Sequence, residues 1–173
     1  AGPEAMPEAT IILLGAGALN TDDALAMQRL GGKAAALAVK KTKQLAIIAP
    51  PGTAATIAFG AVQRSYSFTK YMKKAEADQL PRLSSIAVVT DDADPEGAYA
   101  PMAALYQGVK LARDLVTEPP NVLYPESYAE ICRDELTPLG VEVDVLGEAE
   151  LAKHGMTMML GVGQGSVRES KMV

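Results

Sequence analysis

Apolar and polar positions alternate along this chain in blocks that predict strands and helices in turn. The stretch "TIILLGAG" is an apolar run bounded by glycines, which predicts a buried parallel strand. Asn20 or Thr21 can cap the helix that follows, with Asp22 and Asp23 placed favourably at its positive end. Met27, Leu30, Ala34 and Leu37 recur at helical spacing and give that helix an inner face. Gly31 and Gly32 each weaken it by ~1 kcal/mol, so close packing against a neighbour is the expected compensation. "QLAIIAP" predicts a second strand, ended by Pro50 and Pro51, and "TAATIAFGAVQRSY" a second helix. A basic, tyrosine-bearing loop, "SFTKYMKK", leads to a third strand, "LSSIAVVT". This rhythm argues for an α/β sandwich with a mostly parallel sheet.

The acidic stretch "DDADPEG" is the most linker-like segment, and it places a domain boundary between residues 1–97 and 98–173. Pro101 predicts that the next helix is established only near Ala100, or is kinked there. In that helix Leu105, Val109, Ala112 and Val116 share one face. Pro119 and Pro120 stop it, and Pro125 can open another helix at no cost in hydrogen bonds. Farther on, Val141, Val143 and Val145 alternate with Glu142 and Asp144, a strand pattern with one wetter face. "GEAELAKHG" predicts a short helix terminated by Gly155. "MTMMLGVGQGSVRESKMV" then reads as an apolar strand entering a glycine-rich turn.

Composition narrows the function classes. With 173 residues, the chain has room for one ordinary domain, or a small one plus part of another. No run approaches the ~20 apolar residues that span a bilayer, so no membrane partner is expected. The opening "AGPEAMPEAT" lacks the basic region and apolar stretch of a signal peptide, and the single Cys132 fits the expectation of cytoplasmic residence. A net charge of −5 and 5% aromatic residues argue against nucleic acid as a partner. Cys132 is the single cysteine, which excludes an internal disulfide or a cysteine zinc cluster, and its position in a helix predicts a small buried hydrophobe.

Several motifs carry potential chemistry, and each has a plainer structural reading. "GAGALN" (residues 15–20) has the first two glycines of a dinucleotide fingerprint but Asn20 where the third belongs, so a tight turn into the helix is the better reading. "GVGQGS" (residues 161–166) could expose amides to an anion, yet no predicted helix follows it. His154, the only histidine, sits where a helix-capping or surface role suffices. Asp91, Asp92 and Asp94 lack calcium-loop spacing and read as a solvated linker. Arg64, Lys70, Lys73 and Lys74 lie among Tyr66, Phe68 and Tyr71; a helix end with packed aromatics accounts for them better than a nucleic-acid patch. Met156, Met158 and Met159 read as core residues. Residue chemistry alone marks no active site.

The order of motifs from Gly108 onward adds more. "GVKLARDLVTEPPNVLYPESYAE" followed by "LGVEVDVLGEAELAKHGMTMMLGVGQGSVRESKMV" resembles the cytosolic leucyl aminopeptidase family. Residues 112–115 match its Ala-Arg-Asp-Leu, residues 118–121 its proline-rich turn, and Pro125 its proline-started helix. Leu146, Leu151, Gly155 and residues 161–166 match the succeeding signature, while Thr117 departs from the commoner Asn. "GAVQRSYSFTKYMKK" is similar to a segment of the family's N-terminal domain.

The resemblance implies a three-layer, macro-domain-like α/β domain lacking its first strands, then a connecting helix and the opening of a second α/β domain. It also implies a metal-dependent aminopeptidase that removes N-terminal amino acids from peptides, working as a hexamer with two divalent ions, manganese or zinc. The family's metal ligands and catalytic lysine lie beyond a Gly-Lys-Gly segment expected shortly after Val173. No catalytic, cofactor-binding or metal residue is therefore assigned here, and Asp114 and Glu118 are not drafted as substitutes. The chain alone is expected to bind no metal and to supply scaffold and oligomer contacts. A free-standing module binding a nucleotide or an ADP-ribose-like ligand through "GAGALN" is the alternative, and a purely structural interaction protein is a third reading.

Two consecutive prolines freeze the turn between the helices, which fixes the entry to the second domain. Replacing Pro119 and Pro120 with Ala in the full-length protein should lower its melting temperature or its hexamer content; if neither changes, the turn has only a local role.

Overall fold

The computed structural model describes residues 10–38, 42–78 and 83–173, which form two compact units divided between Ala112 and Arg113. The fold is mixed α/β, rich in helices, with one small parallel sheet. In the first unit α1 (Ala24–Ala36), β1 (Gln44–Ile48), α2 (Ala54–Ser65), the four-residue α3 (Lys74–Ala77) and β2 (Ser85–Val89) follow in order, and α4 (Pro95–Thr117) leads into the second unit. There α5 (Pro125–Leu136), a 3-10 turn at Thr137–Leu139, α6 (Glu148–Lys153) and α7 (Thr157–Gly163) follow.

The packing of α1 on α2 is governed by two glycines. A Cβ at Gly31 would overlap the Ile57 carbonyl, and one at Gly60 would overlap the Gln28 carbonyl. Each glycine thus makes room for the other helix's backbone, which is the compensation expected for placing glycine inside a helix. Gln28 Nε2 donates to Gln63 Oε1 at 2.6 Å in the same crossing. Beneath it lies the core of the unit, Met27, Ala49, Ala54 and Ile57, with Leu30, Ile47 and Val88 packed against them. Ile57 is 1% exposed, and burying a side chain of that size contributes roughly 1.5–3 kcal/mol. The inner face of α1 is Met27, Gly31 and Ala35, whereas Leu37, expected on that face, is 43% exposed.

Capping is local and polar. Asp23, rather than Asn20 or Thr21, caps α1 by accepting from the Ala26 amide at 3.0 Å. The Thr53 hydroxyl before α2 donates back to the Pro50 carbonyl at 2.7 Å. Asp94 Oδ1 accepts from the Gly97 amide at 2.9 Å, so α4 opens at Pro95 and runs through Pro101. That start is earlier than Pro101 suggests. The cap pre-forms the first turn, and the only acceptor Pro101 orphans is the carbonyl four residues back, at Gly97. Asp92 accepts from the Gly52 amide at 2.6 Å and so ties the two loops that leave β1 and β2. The acidic stretch read as a linker is therefore a set of structural acceptors.

Three predicted strands are not strands. Ile11, Ile12 and Leu13 of "TIILL" are 65%, 50% and 94% exposed and unpaired, because the described sheet contains β1 and β2 alone. Val143 and Val145 are half-buried between exposed Glu142 and Asp144, but the alternation has no ladder to join; a single antiparallel bridge pairs Leu146 with Met172. The apolar "TMMLGVG" is helix α7, since a short apolar run looks alike in both states and methionine and leucine favour helix. Met158 is consequently 85% exposed rather than in the core. Among the described residues no helix is long and apolar enough to cross a membrane.

The two adjacent glycines of α1 make opposite predictions. Gly31→Ala forces backbone apart and should cost about 2–3 kcal/mol as a lower urea midpoint. A Cβ at Gly32 meets nothing nearer than 3.6 Å, so Gly32→Ala should leave stability unchanged or raise it by up to ~1 kcal/mol.

Candidate functional site

Most of the polar organisation of the second unit lies between the proline turn and the C-terminal segment. The Pro119 carbonyl accepts from the amides of Val122 and Leu123, both at 2.9 Å, which closes the turn after α4. Pro125 then opens α5, and Ser127 Oγ accepts from the Tyr124 amide at 3.0 Å while donating toward the Val122 and Tyr124 carbonyls. The Arg168 guanidinium lies 3.5 Å from the centre of the Tyr124 ring, a cation–π contact that joins this turn to the chain's end.

Around α6 the carboxylates act as clasps. Glu150 Oε2 reaches back to the Gly147 amide at 2.7 Å, the reciprocal half of a capping box. Glu169 Oε1 accepts from the Glu148 amide at 3.2 Å, and Glu148 Oε1 accepts from the Ser170 amide at 3.0 Å. Lys171 pairs with Glu169. That pairing, with the Glu148 amide second, holds the Glu169 carboxyl below its usual range, and Glu169 in turn raises the Lys171 ammonium. Gly163 leaves the space that Ser170 Oγ occupies. Leu151, fully buried, anchors α6 from within. The helix ends in a Schellman motif: Gly155, at φ +71°, donates to Ala152 while Met156 donates to Leu151 at 2.9 Å.

Two open depressions mark this unit. One of about 590 Å³ is lined by Arg133, Asp134, Thr137, Pro138 and residues 141–143. The other, about 450 Å³, is lined by Glu148, Thr157, Leu160, Gly161 and Gln164. Neither is lined by histidine or cysteine. His154 is the exposed C-cap residue of α6, and Cys132 is half-buried beside Tyr128, whose phenol it raises above the usual range. Among the described residues no three His, Cys, Asp or Glu side chains group closely enough to hold a metal ion.

The sequence-marked motifs remain apart. "GAGALN" is an exposed turn with Gly17 at φ +66° and no strand before it, so the geometry of a dinucleotide fingerprint is missing. In "GVGQGS", Gly161 and Gly163 belong to the end of α7, and the Ser166 amide donates to the Gly163 carbonyl at 2.9 Å. Exposed Lys70 lies over the Tyr71 ring at 5.4 Å, and Phe68 and Tyr71 pack at 5.8 Å. The clasp through Glu148, Glu169 and Lys171 escaped sequence reading, because partners about twenty residues apart leave no local pattern.

Family comparisons agree with this segmentation of motifs. The N-terminal domain of the cytosol aminopeptidase family matches residues 1–75, and the family's catalytic domain matches residues 110–173. A probable cytosol aminopeptidase of Caulobacter vibrioides is 38% identical over 99% of this chain and 35% of its own length. One from Rhizobium etli is 41% identical over 98% of the chain and 36% of its length. The chain thus spans about a third of these relatives. Among solved structures, the bottromycin maturation enzyme BotP, also solved in complex with Mn, superposes with a TM-score of 0.73 at 25% identity over 90% of this chain and 34% of that one. A mutant tomato leucine aminopeptidase shares the fold, with a TM-score of 0.65 at 20% identity over 81% of this chain and 30% of its own.

The depressed Glu169 carboxyl gives the C-terminal clasp a pH sense. Its contribution is complete above the ordinary carboxylate range and is lost as pH falls through the lowered folded-state value. The protection of the Leu146 and Met172 amides, taken relative to intrinsic exchange at each pH, should therefore fall on acidification, and Lys171→Ala should move that onset to higher pH. An onset unaffected by Lys171→Ala would show that the pair does not govern the bridge. With both domains of one family matched in order along it, the chain belongs to the cytosol aminopeptidase family.

Proposed function

We propose that this chain is the N-terminal α/β domain, the connecting helix and the opening of the catalytic domain of a metal-dependent aminopeptidase that removes N-terminal amino acids from peptides. In this reading residues 1–97 form the first domain and residues 98–173 the connection and the start of the second. The observation that carries it is the pair of family matches, in order along the chain at residues 1–75 and 110–173. The full-length protein is cytoplasmic and hexameric and works with two divalent ions, manganese or zinc. The described residues do not fit such a metal pair, since no three potential ligands converge. The ligands belong to the part of the family's length that this chain does not span, and no catalytic step is drawn through the residues present.

The chain's own contribution is scaffold and oligomer contacts. The proline turn and the clasp around α6 set the path by which the backbone enters the catalytic domain. A free-standing nucleotide- or ADP-ribose-like binding module is not favoured, because "GAGALN" is an exposed turn without the strand and helix start that would aim its amides at a phosphate.

Hydrolysis of leucine p-nitroanilide tests the reading. The full-length protein should turn it over with added Mn²⁺ and lose activity to a chelator, while the chain verified at 18.1 kDa should give no rate above blank. Metal-dependent turnover by the 18.1 kDa chain would overturn the scaffold role, and chelator-resistant activity in the full-length protein would overturn the metal chemistry.

A further inference from the structure

Charge is sorted along this chain. Residues 24–75 hold nine of the 16 Lys and Arg and none of the 21 Asp and Glu. The net charge of −5 therefore averages a basic stretch and an acidic remainder, an asymmetry that sets the sign of a partner.

The fold gathers part of the basic stretch on one surface. Helix α1 turns Met27, Gly31 and Ala35 to the core. On its opposite side Leu25, Arg29, Lys33 and Leu37 follow at four-residue steps, which makes one ridge along the helix. All four are exposed, Leu25 by 53% and Leu37 by 43%. A Cβ at Gly32 would stand 3.8 Å from the Cβ of Arg64, so α2 brings a third exposed cation to the flank of this ridge. Among the described residues Arg29, Lys33 and Arg64 pair with no carboxylate. Asp23, at the head of α1, is committed to the Ala26 amide. The loop after α2 repeats the mixture, with Tyr71 and Met72 exposed between exposed Lys70, Lys73 and Lys74.

That mixture selects among polyanions. Nucleic acid would meet the cations with phosphates but leave Leu25 and Leu37 in water. A second copy held by exposed ion pairs alone would be held weakly. An anionic bilayer takes both groups, since its headgroups attract the cations and its acyl boundary accepts the leucines. The expectation of no membrane partner rests on spanning length, and a helix too short or polar to cross a bilayer can still lie on one.

We propose that the ridge Leu25, Arg29, Lys33 and Leu37, with Arg64 and the loop after α2, is a peripheral docking surface for an anionic lipid bilayer. Leu25 and Leu37 enter between the headgroups while the cations meet lipid phosphates and carboxylates. The proposal is independent of the aminopeptidase reading, because lipid binding and hydrolysis of leucine p-nitroanilide are separate readouts.

Co-sedimentation of the full-length protein with vesicles tests it. The protein should sediment with phosphatidylcholine vesicles that contain phosphatidylserine, stay in solution with phosphatidylcholine alone, and be released as salt is raised. Arg29→Glu combined with Lys33→Glu should weaken binding by roughly tenfold or more, given about fivefold for each cation removed. Leu25→Ser combined with Leu37→Ser keeps every charge and should weaken it by about fivefold or more. Arg133→Glu on α5 reverses a charge outside the face and should change binding by less than about twofold. Equal binding to both vesicle types, or a loss with Arg133→Glu as large as with the ridge variant, overturns the proposal. Binding to anionic vesicles or to duplex DNA that ignores the leucine substitutions also overturns it, by showing a surface that reads charge alone. The unsubstituted protein gives the first readout, so the proposal stays testable even if a variant fails to fold.

Discussion

The first unit rests on the reciprocal insertion of Gly31 and Gly60 between two helix backbones. Each helix offers a side-chain-free site to a carbonyl of the other, Ile57 at one and Gln28 at the other. Backbone at this separation tolerates no methyl group, so the crossing is fixed by sterics rather than by adaptable side chains. Close approach brings Met27 over Ile57 and seats both on Ile47 and Val88. Without it the apolar faces of α1 and α2 would be held apart, and this small sheet has little other cover. Glycine's cost in helix propensity is thus the condition for the core to form.

The second unit uses a different economy. Its helices are short, and carboxylates stand in for packing: Glu150 closes α6 on itself, while Glu169 accepts from the Glu148 amide and Glu148 accepts from the Ser170 amide. These groups face water, so each link is individually weak and screened, and their strength lies in acting at one place. The fully buried Leu151 supplies the apolar anchor under that polar ring. These carboxylates hold the path of the chain around α6. The same holds for Asp92 and Asp94 in the first unit, whose oxygens are spent on the amides of Gly52 and Gly97.

Membership in an aminopeptidase family and the absence of converging metal ligands among the described residues are compatible, because the chain spans about a third of its relatives. The part that matches the family's catalytic domain holds the proline turn, the cap of α5 and the Arg168–Tyr124 stack. Of these, Pro119, Pro120 and Pro125 were legible in the sequence because prolines act over three or four residues, whereas the Arg168–Tyr124 contact joins distant parts of the chain.

That range explains what the sequence determined by itself. The α/β alternation, β1 and β2, α2, the start of α5 at Pro125 and the end of α6 at Gly155 were all legible, since each depends on local backbone chemistry. The order of motifs beyond Gly108 also pointed to the family. The tertiary structure decided the rest. "TIILL" and Val141, Val143 and Val145 have strand character, but a strand exists only when another segment accepts its hydrogen bonds. "TMMLGVG" could satisfy its own backbone as a helix and did so. Asp92, Glu148 and Glu169 found their partners across twenty to forty residues, a separation that no periodicity encodes and only the folded chain brings together.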